Sequence, residues 1–241
     1  MVSPVRFTAG VNTSVVTSTS SRGAIRNDHP LWNYPNPCHC RLFEAWEDFA
    51  TYRAVDWTVT AVGAGTSSLS AGEGGILRLL TGAVLNNSVN IQHTSADHTF
   101  SSGNQFWYTT RINPQLASTP GYYFGLQNGG ATDPTAATDG VYFTCAAGSA
   151  NVNLVIRAAS TSTTISAIGT LADATWSWWS YYYDGKSTLY YYKDNVLLGS
   201  TTTLTNLPTV DLAQNFYTIN GAAATNYLDI DLYLASQDIV R

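Results

Sequence analysis

The sequence predicts an all-β chain, with two antiparallel sheets packed face to face. Three observations carry this. Aromatic and β-branched residues suit a pleated, half-buried surface, and they recur in about a dozen short runs separated by Gly, Asn, Asp and Pro. The densest run, 176–200, holds three of the seven Trp and six of the fifteen Tyr, so the chain is organised around it. Near the C-terminus, 227–234 alternates strictly. Leu228, Ile230, Leu232 and Leu234 fall on one face, and Tyr227, Asp229, Asp231 and Tyr233 on the other.

Within the central run, Asp184-Gly185 and Asp194-Asn195 interrupt the rings. Both dipeptides tolerate the positive φ of tight hairpin turns. Three antiparallel strands follow, at about 177–183, 188–193 and 196–200. Trp179, Tyr181 and Tyr183 point to one face of the first, and Trp178, Ser180 and Tyr182 to the other. Large rings on both faces mean that both are at least partly covered.

Taken in order, 1–45 differs from the rest. It is rich in Ser, Thr, Val and Gly, then dense in Pro (Pro30, Pro35, Pro37). Pro favours extended backbone, and such a segment buries too little to order itself. It reads as an extended arm lying on a neighbouring subunit, anchored by Trp32, Tyr34, Phe43 and Trp46, since interface cores favour such rings. The competing reading folds it back on its own sandwich. Residues 42–54 suggest a short helical turn, because Phe43, Trp46 and Phe49 recur at i, i+3, i+6. Strands are expected at 57–62, 76–80, 88–93, 105–112, 122–127, 141–145, 152–157 and 163–168. Further short ones are expected at 201–207, 216–220 and 227–234. Residues 63–75 and 128–140 read as loops. No helix of ordinary length is expected after residue 55.

The residues Trp178, Tyr183-Asp184-Gly185, Leu189-Tyr190, Asp194-Asn195-Val196-Leu197 and Gly199 form a pattern. It resembles the central hairpin of laminin-G-like and concanavalin A-like jelly-roll domains. Those domains usually carry Asp-Gly at the second turn; here Asn195 stands for that Gly. The resemblance implies a two-sheet antiparallel jelly-roll sandwich over 46–241, preceded by the arm. It leaves function open, because lectins, glycosidases, adhesion modules and virion proteins share the fold.

Composition narrows the classes. With 241 residues and 26.0 kDa, the chain is long enough for one large core. Only 11% of residues are charged, and the net charge is −5. The eleven Lys and Arg are scattered singly, which argues against a nucleic-acid partner. No run approaches the roughly 20 apolar residues of a membrane helix. The N-terminus lacks a basic region followed by an apolar core, so no signal peptide is expected. Cys38, Cys40 and Cys145 are an odd count and no disulfide framework. Cys38-His39-Cys40 is tighter than usual zinc-ligand spacing, so reduced thiols made in a cytoplasm are expected.

Glycoside hydrolysis is the enzymatic reading to test, and it needs two carboxylates flanking a sugar bond. Asp229 and Asp231 share a strand face, but the jelly-roll glycosidases use Glu residues in this run, and no Glu follows Glu73. Both Asp residues therefore read as solvent-facing, and no catalytic residue is expected. The four histidines (His29, His39, His93, His98) accompany no Gly-x-Ser-x-Gly elbow, and there is no phosphate-binding glycine loop. No cofactor is expected. Ca²⁺ is the one candidate, with Asp133 and Asp139 beside Asn128, or Asp184 or Asp194, as ligands. Turn chemistry is the competing reading for each.

With an arm, no catalytic set and a weakly charged surface, the chain resembles bacteriophage virion proteins, in particular head decoration (cement) proteins or short fibres. That implies a structural role on the capsid surface after synthesis in the host cytoplasm. It also implies self-association, as a trimer, and binding to a major capsid protein through the arm and a sandwich edge. The alternative is a carbohydrate-binding module of a phage tail or fibre that recognises host glycan. A diverged glycosidase comes third.

Overall fold

A computed structural model describes residues 42–72, 74–128 and 133–238. The strands are β1 (Leu42–Glu47), β2 (Trp57–Val62), β3 (Thr66–Ser70), β4 (Ile76–Leu80), β5 (Ser88–His93), β6 (Phe106–Pro114), β7 (Gly121–Gln127), β8 (Gly140–Cys145), β9 (Asn151–Ala158), β10 (Thr161–Thr170), β11 (Ser177–Tyr183), β12 (Leu189–Lys193), β13 (Val196–Thr201), β14 (Ala213–Ile219) and β15 (Tyr227–Asp238). One sheet runs β13-β12-β11-β6-β15-β4-β3, with β1 on the far half of β15. The other runs β10-β9-β8-β7-β14-β5-β2. All pairings are antiparallel, and the two sheets enclose one core, as the sequence predicts.

The core is built from rings. Trp179, Tyr181 and Tyr183 of β11 point inward. Tyr181 stacks on Tyr108 at 4.9 Å, and its hydroxyl donates to the Val141 carbonyl across the sandwich at 3.1 Å. Phe143 meets Trp179 at 5.6 Å. Gln214 Nε2 donates to the Tyr108 hydroxyl at 3.0 Å, again from one sheet to the other. A buried ring whose polar tip is paired keeps its apolar contribution without an unmet hydrogen bond. On the outer side of β11, Tyr182 packs on Trp107 and Tyr190, and Ser180 donates to Thr109 at 2.7 Å. The outward rings thus shield one another.

Both predicted turns are present. Asp184 Oδ1 accepts from the backbone N–H of Lys186, Ser187 and Thr188. Burial pushes the Asp184 carboxyl up, but these three donors outweigh it and hold the group below its ordinary value. Gly185 has φ 76 and lies against the Asn104 backbone, where a Cβ would approach to 2.9 Å. Asp194 (φ 50) and Asn195 (φ 64) form the second turn, so Asn195 does adopt the left-handed conformation.

Four local expectations are corrected. Residues 42–53 contain no helical turn, and a single 3-10 turn follows only at Ala54–Asp56. The half of β15 beyond β4 has an open edge, and β1 fills it in register from Leu42↔Asp238 to Glu47↔Tyr233. Residues 42–45, grouped above with the arm, therefore belong to the sheet. On a strand, Phe43 and Trp46 fall on opposite sides, and only Phe49, beyond the strand end, reaches the core. Residues 63–75 are not only loop, since β3 pairs with β4. Residues 201–207 form no strand beyond Thr201, and Leu204 and Leu207 pack on the core from a turn.

The fourth correction concerns β15. Its register against β6 shifts between Ile230 and Leu232. A bulge adds one residue and swaps the faces of everything after it. Tyr233 and Ala235 therefore join Leu228 and Ile230 in the core, and Leu232 and Leu234 do not. Nor are the two carboxylates simply solvent-facing. Asp229 is 4% exposed and takes a bidentate bond from Arg78 at 2.7 and 2.8 Å. Asp231 accepts from Arg111 at 2.7 Å.

Residues 94–100 close one end of the sandwich through a backbone bridge between His98 and Leu212. The His98 ring lies between Phe43 (5.6 Å) and Phe106 (5.9 Å). Burial pushes its pKa down from 6.5 to about 4, the nearby Asp97 backbone opposing this only in part.

Two outcomes follow. Asp229→Ala leaves Arg78 without its partner and should lower the urea unfolding free energy by about 2 kcal/mol; a loss under about 0.5 kcal/mol would mean solvent replaces the pair. His98 is neutral in the fold but protonates near 6.5 when unfolded, so its contribution is complete above about 6.5 and is lost as pH falls toward 4. Unfolding titrations at stepwise pH should show His98→Leu losing about 3 kcal/mol less than the wild type over that interval. Parallel curves would contradict the assignment.

Candidate functional site

The seven-stranded sheet turns a second set of side chains away from the core. Alternation on β7, β8 and β14 sends Phe124, Phe143 and Phe216 inward and Tyr123, Tyr142 and Tyr217 outward. Tyr123 lies between the other two, at 5.8 Å from Tyr142 and 5.6 Å from Tyr217. Register places Tyr123 beside Thr144, and Thr144 beside Asn153. This row is half-buried and forms the accessible edge, while Tyr142, Tyr217 and Gln127 line the floor.

Glycine makes the floor possible. Gly125 has φ 151, and a Cβ there would come within 2.7 Å of Tyr142 Cβ. A larger residue would displace the Tyr142 ring. Around the rings stand amides and one guanidinium. Asn215 donates to Asn90 at 2.7 Å, and Gln92 donates to the Asn128 carbonyl at 3.1 Å. Gln127 is 1% exposed, and neither its Oε1 nor its Nε2 has a hydrogen-bond partner. Burial raises all three phenols, Tyr217 to about 12, so each is a neutral hydroxyl at ordinary pH. The guanidinium of Arg157 opposes the shift at Tyr142.

The strands of this sheet carry one charged residue, Arg157, and no Asp or Glu. Asp133 lies close enough for its charge to raise both Tyr123 and Tyr217.

The predicted calcium ligands make turns. Asp133 Oδ1 accepts from the Thr135 backbone and hydroxyl, both at 2.8 Å. Asn128 and Asp139 clasp each other, the Asp139 N–H donating to Asn128 Oδ1 at 3.1 Å. Asp139 Oδ1 also accepts from the Ala159 N–H at 3.1 Å. Asp194 accepts from the Trp178 N–H at 2.8 Å. Among the described residues, no three His, Cys, Asp or Glu are placed to hold a metal ion.

The other singled-out residues scatter. Trp32, Tyr34, Cys38, Cys40, His29 and His39 lie outside the described residues. Phe43 packs its ring on His98, while Trp46 is 56% exposed. His93 accepts from the Ser95 N–H at 3.2 Å and meets the Trp57 ring. Cys145 is a buried free thiol, raised to about 11 by burial, and it donates to the Ser149 carbonyl at 2.9 Å. Sequence reasoning missed the tyrosine floor. Its signal was the near absence of charge in these strands, which pattern-reading credits to the core.

No protein-family model matches the chain, and no curated protein matches its sequence. Solved structures do match in shape. The endo-1,3-β-glucanase of Streptomyces sioyaensis has a TM-score of 0.61 at 10% identity, over 83% of this chain and 98% of that one. The β-glucanase of Bacillus licheniformis gives 0.57 at 13%, over 82% and 98%. The carbohydrate recognition domain of Emp46p, potassium-bound, gives 0.53 at 12%, over 78% and 93%. None of the three is a virion protein. They include both hydrolases and a recognition domain, so the fold does not separate binding from catalysis. What the chain shares with them is the architecture, a concanavalin A-like jelly-roll sandwich.

Proposed function

We propose that the chain is a carbohydrate-binding module that holds a neutral β-glucan over the outer face of the seven-stranded sheet and leaves it intact. One observation carries this. Three tyrosines and a buried, unpartnered Gln127 amide share a face whose strands have no carboxylate. Sugar rings offer apolar C–H faces for stacking and hydroxyls for hydrogen bonding. An unmet buried amide costs about 1–3 kcal/mol, which a ligand hydroxyl would recover. The recognition and glucan-acting neighbours support the choice of ligand class. The capsid-decoration reading has no comparable support, since the arm it relies on lies outside the described residues.

Calorimetry with β-1,3-glucan oligosaccharides is the test. The wild type should bind, Tyr123→Ala should weaken binding about tenfold through the loss of ring contact, and no new reducing ends should appear. Absence of binding, unchanged affinity in Tyr123→Ala, or release of shorter sugars would each overturn the reading.

A further inference from the structure

A second cavity, of about 320 Å³, opens at the margin where β1 meets the ends of β2, β5 and β14. Its volume is at the small end of the roughly 300–1,000 Å³ typical of ligand pockets, enough for a single sugar ring. Four carboxylates line it, those of Glu44, Glu47, Asp56 and Asp97, and its lining contains no Lys or Arg. Arg53 reaches Asp56 only from outside, at 3.5 Å and 71% exposed. The carboxylates share one field, since Tyr233 in the wall is raised by burial and then by the charges of Glu47, Asp97 and Asp56.

Two buried polar groups in this wall are unmet. Neither ring nitrogen of His98 has a hydrogen-bond partner, and neither does Gln214 Oε1; the residues are 5% and 2% exposed. Native proteins rarely leave such atoms unpaired without a reason. Trp46 also lines the cavity and presents most of its indole to solvent.

The chemistry of an occupant follows. It must bring positive charge for the carboxylates and hydrogen-bond donors for Gln214 and His98. It also needs an apolar face for Trp46. A metal ion is a poor match, since no three ligands among the described residues are placed for one. We propose that this cavity binds a protonated amino sugar. Its ammonium pairs with Asp97 at the exposed mouth, in the field of Glu47 and Asp56, its hydroxyls reach Gln214 and His98, and its ring lies against Trp46. This goes beyond the neutral-glucan site and does not rest on it.

Calorimetry of the full chain with glucosamine, N-acetylglucosamine and Nα-acetyl-lysine decides the matter. Glucosamine should bind at least about tenfold more tightly than either of the others. Asp97→Asn and Trp46→Ala, both exposed positions, should each weaken glucosamine about tenfold and leave β-glucan binding unchanged. Equal binding of glucosamine and its N-acetyl form would overturn the role of the charge. Equal binding of the lysine derivative would overturn the sugar. Loss of glucosamine binding in Tyr123→Ala alone would move it to the other face.

Discussion

The fold depends on the ring column between the sheets. Tyr181 is its keystone, since it stacks on Tyr108, meets Phe143, and ties its hydroxyl to the opposite sheet at Val141. A fully buried large apolar side chain contributes roughly 1.5–3 kcal/mol, so a column of such rings is the largest single source of stability here. It also fixes the spacing of the layers. With the sheets clamped, the outward phase of each strand is set, and the faces are free to carry chemistry.

Two irregularities then decide where that chemistry lies. The β15 bulge withdraws Tyr233 into the core side, while Asp229 ahead of it and Asp231 within it go to guanidinium partners. A carboxylate held by a bidentate Arg is fixed in place by two charge-assisted hydrogen bonds. The second irregularity is the sharing of β15 between β4 and β1. This brings Glu44, Trp46 and Glu47 to the margin, opposite Asp56 and Asp97. Four carboxylates thus meet at one rim, while the strands of the seven-stranded sheet carry Arg157 as their single charged residue.

Much of this was legible in the residues. Period-two alternation in β11 grouped Trp179, Tyr181 and Tyr183 on one face, which the structure turns inward, and Asp-Gly and Asp-Asn named the turns. The misses have physical causes. Alternation counting assumes an unbroken pleat, so one inserted residue at Asp231 reversed Tyr233. The spacing of Phe43, Trp46 and Phe49 imitates a helix, but a strand edge waiting on β15 outweighs local periodicity. The Ser and Thr of β3, with glycines on either side, look like loop because an exposed edge strand needs no apolar side. The tyrosine floor was invisible for another reason. Outward tyrosines and inward phenylalanines alternate in one uncharged run, so sequence alone cannot tell a ligand face from a second core.

Pairing of the first described strand with the last has a further consequence. Leu42 sits across from Asp238, so the two outermost described strands close on each other along one sheet edge. Fraying of either one would bare the hydrogen-bonding edge of the other.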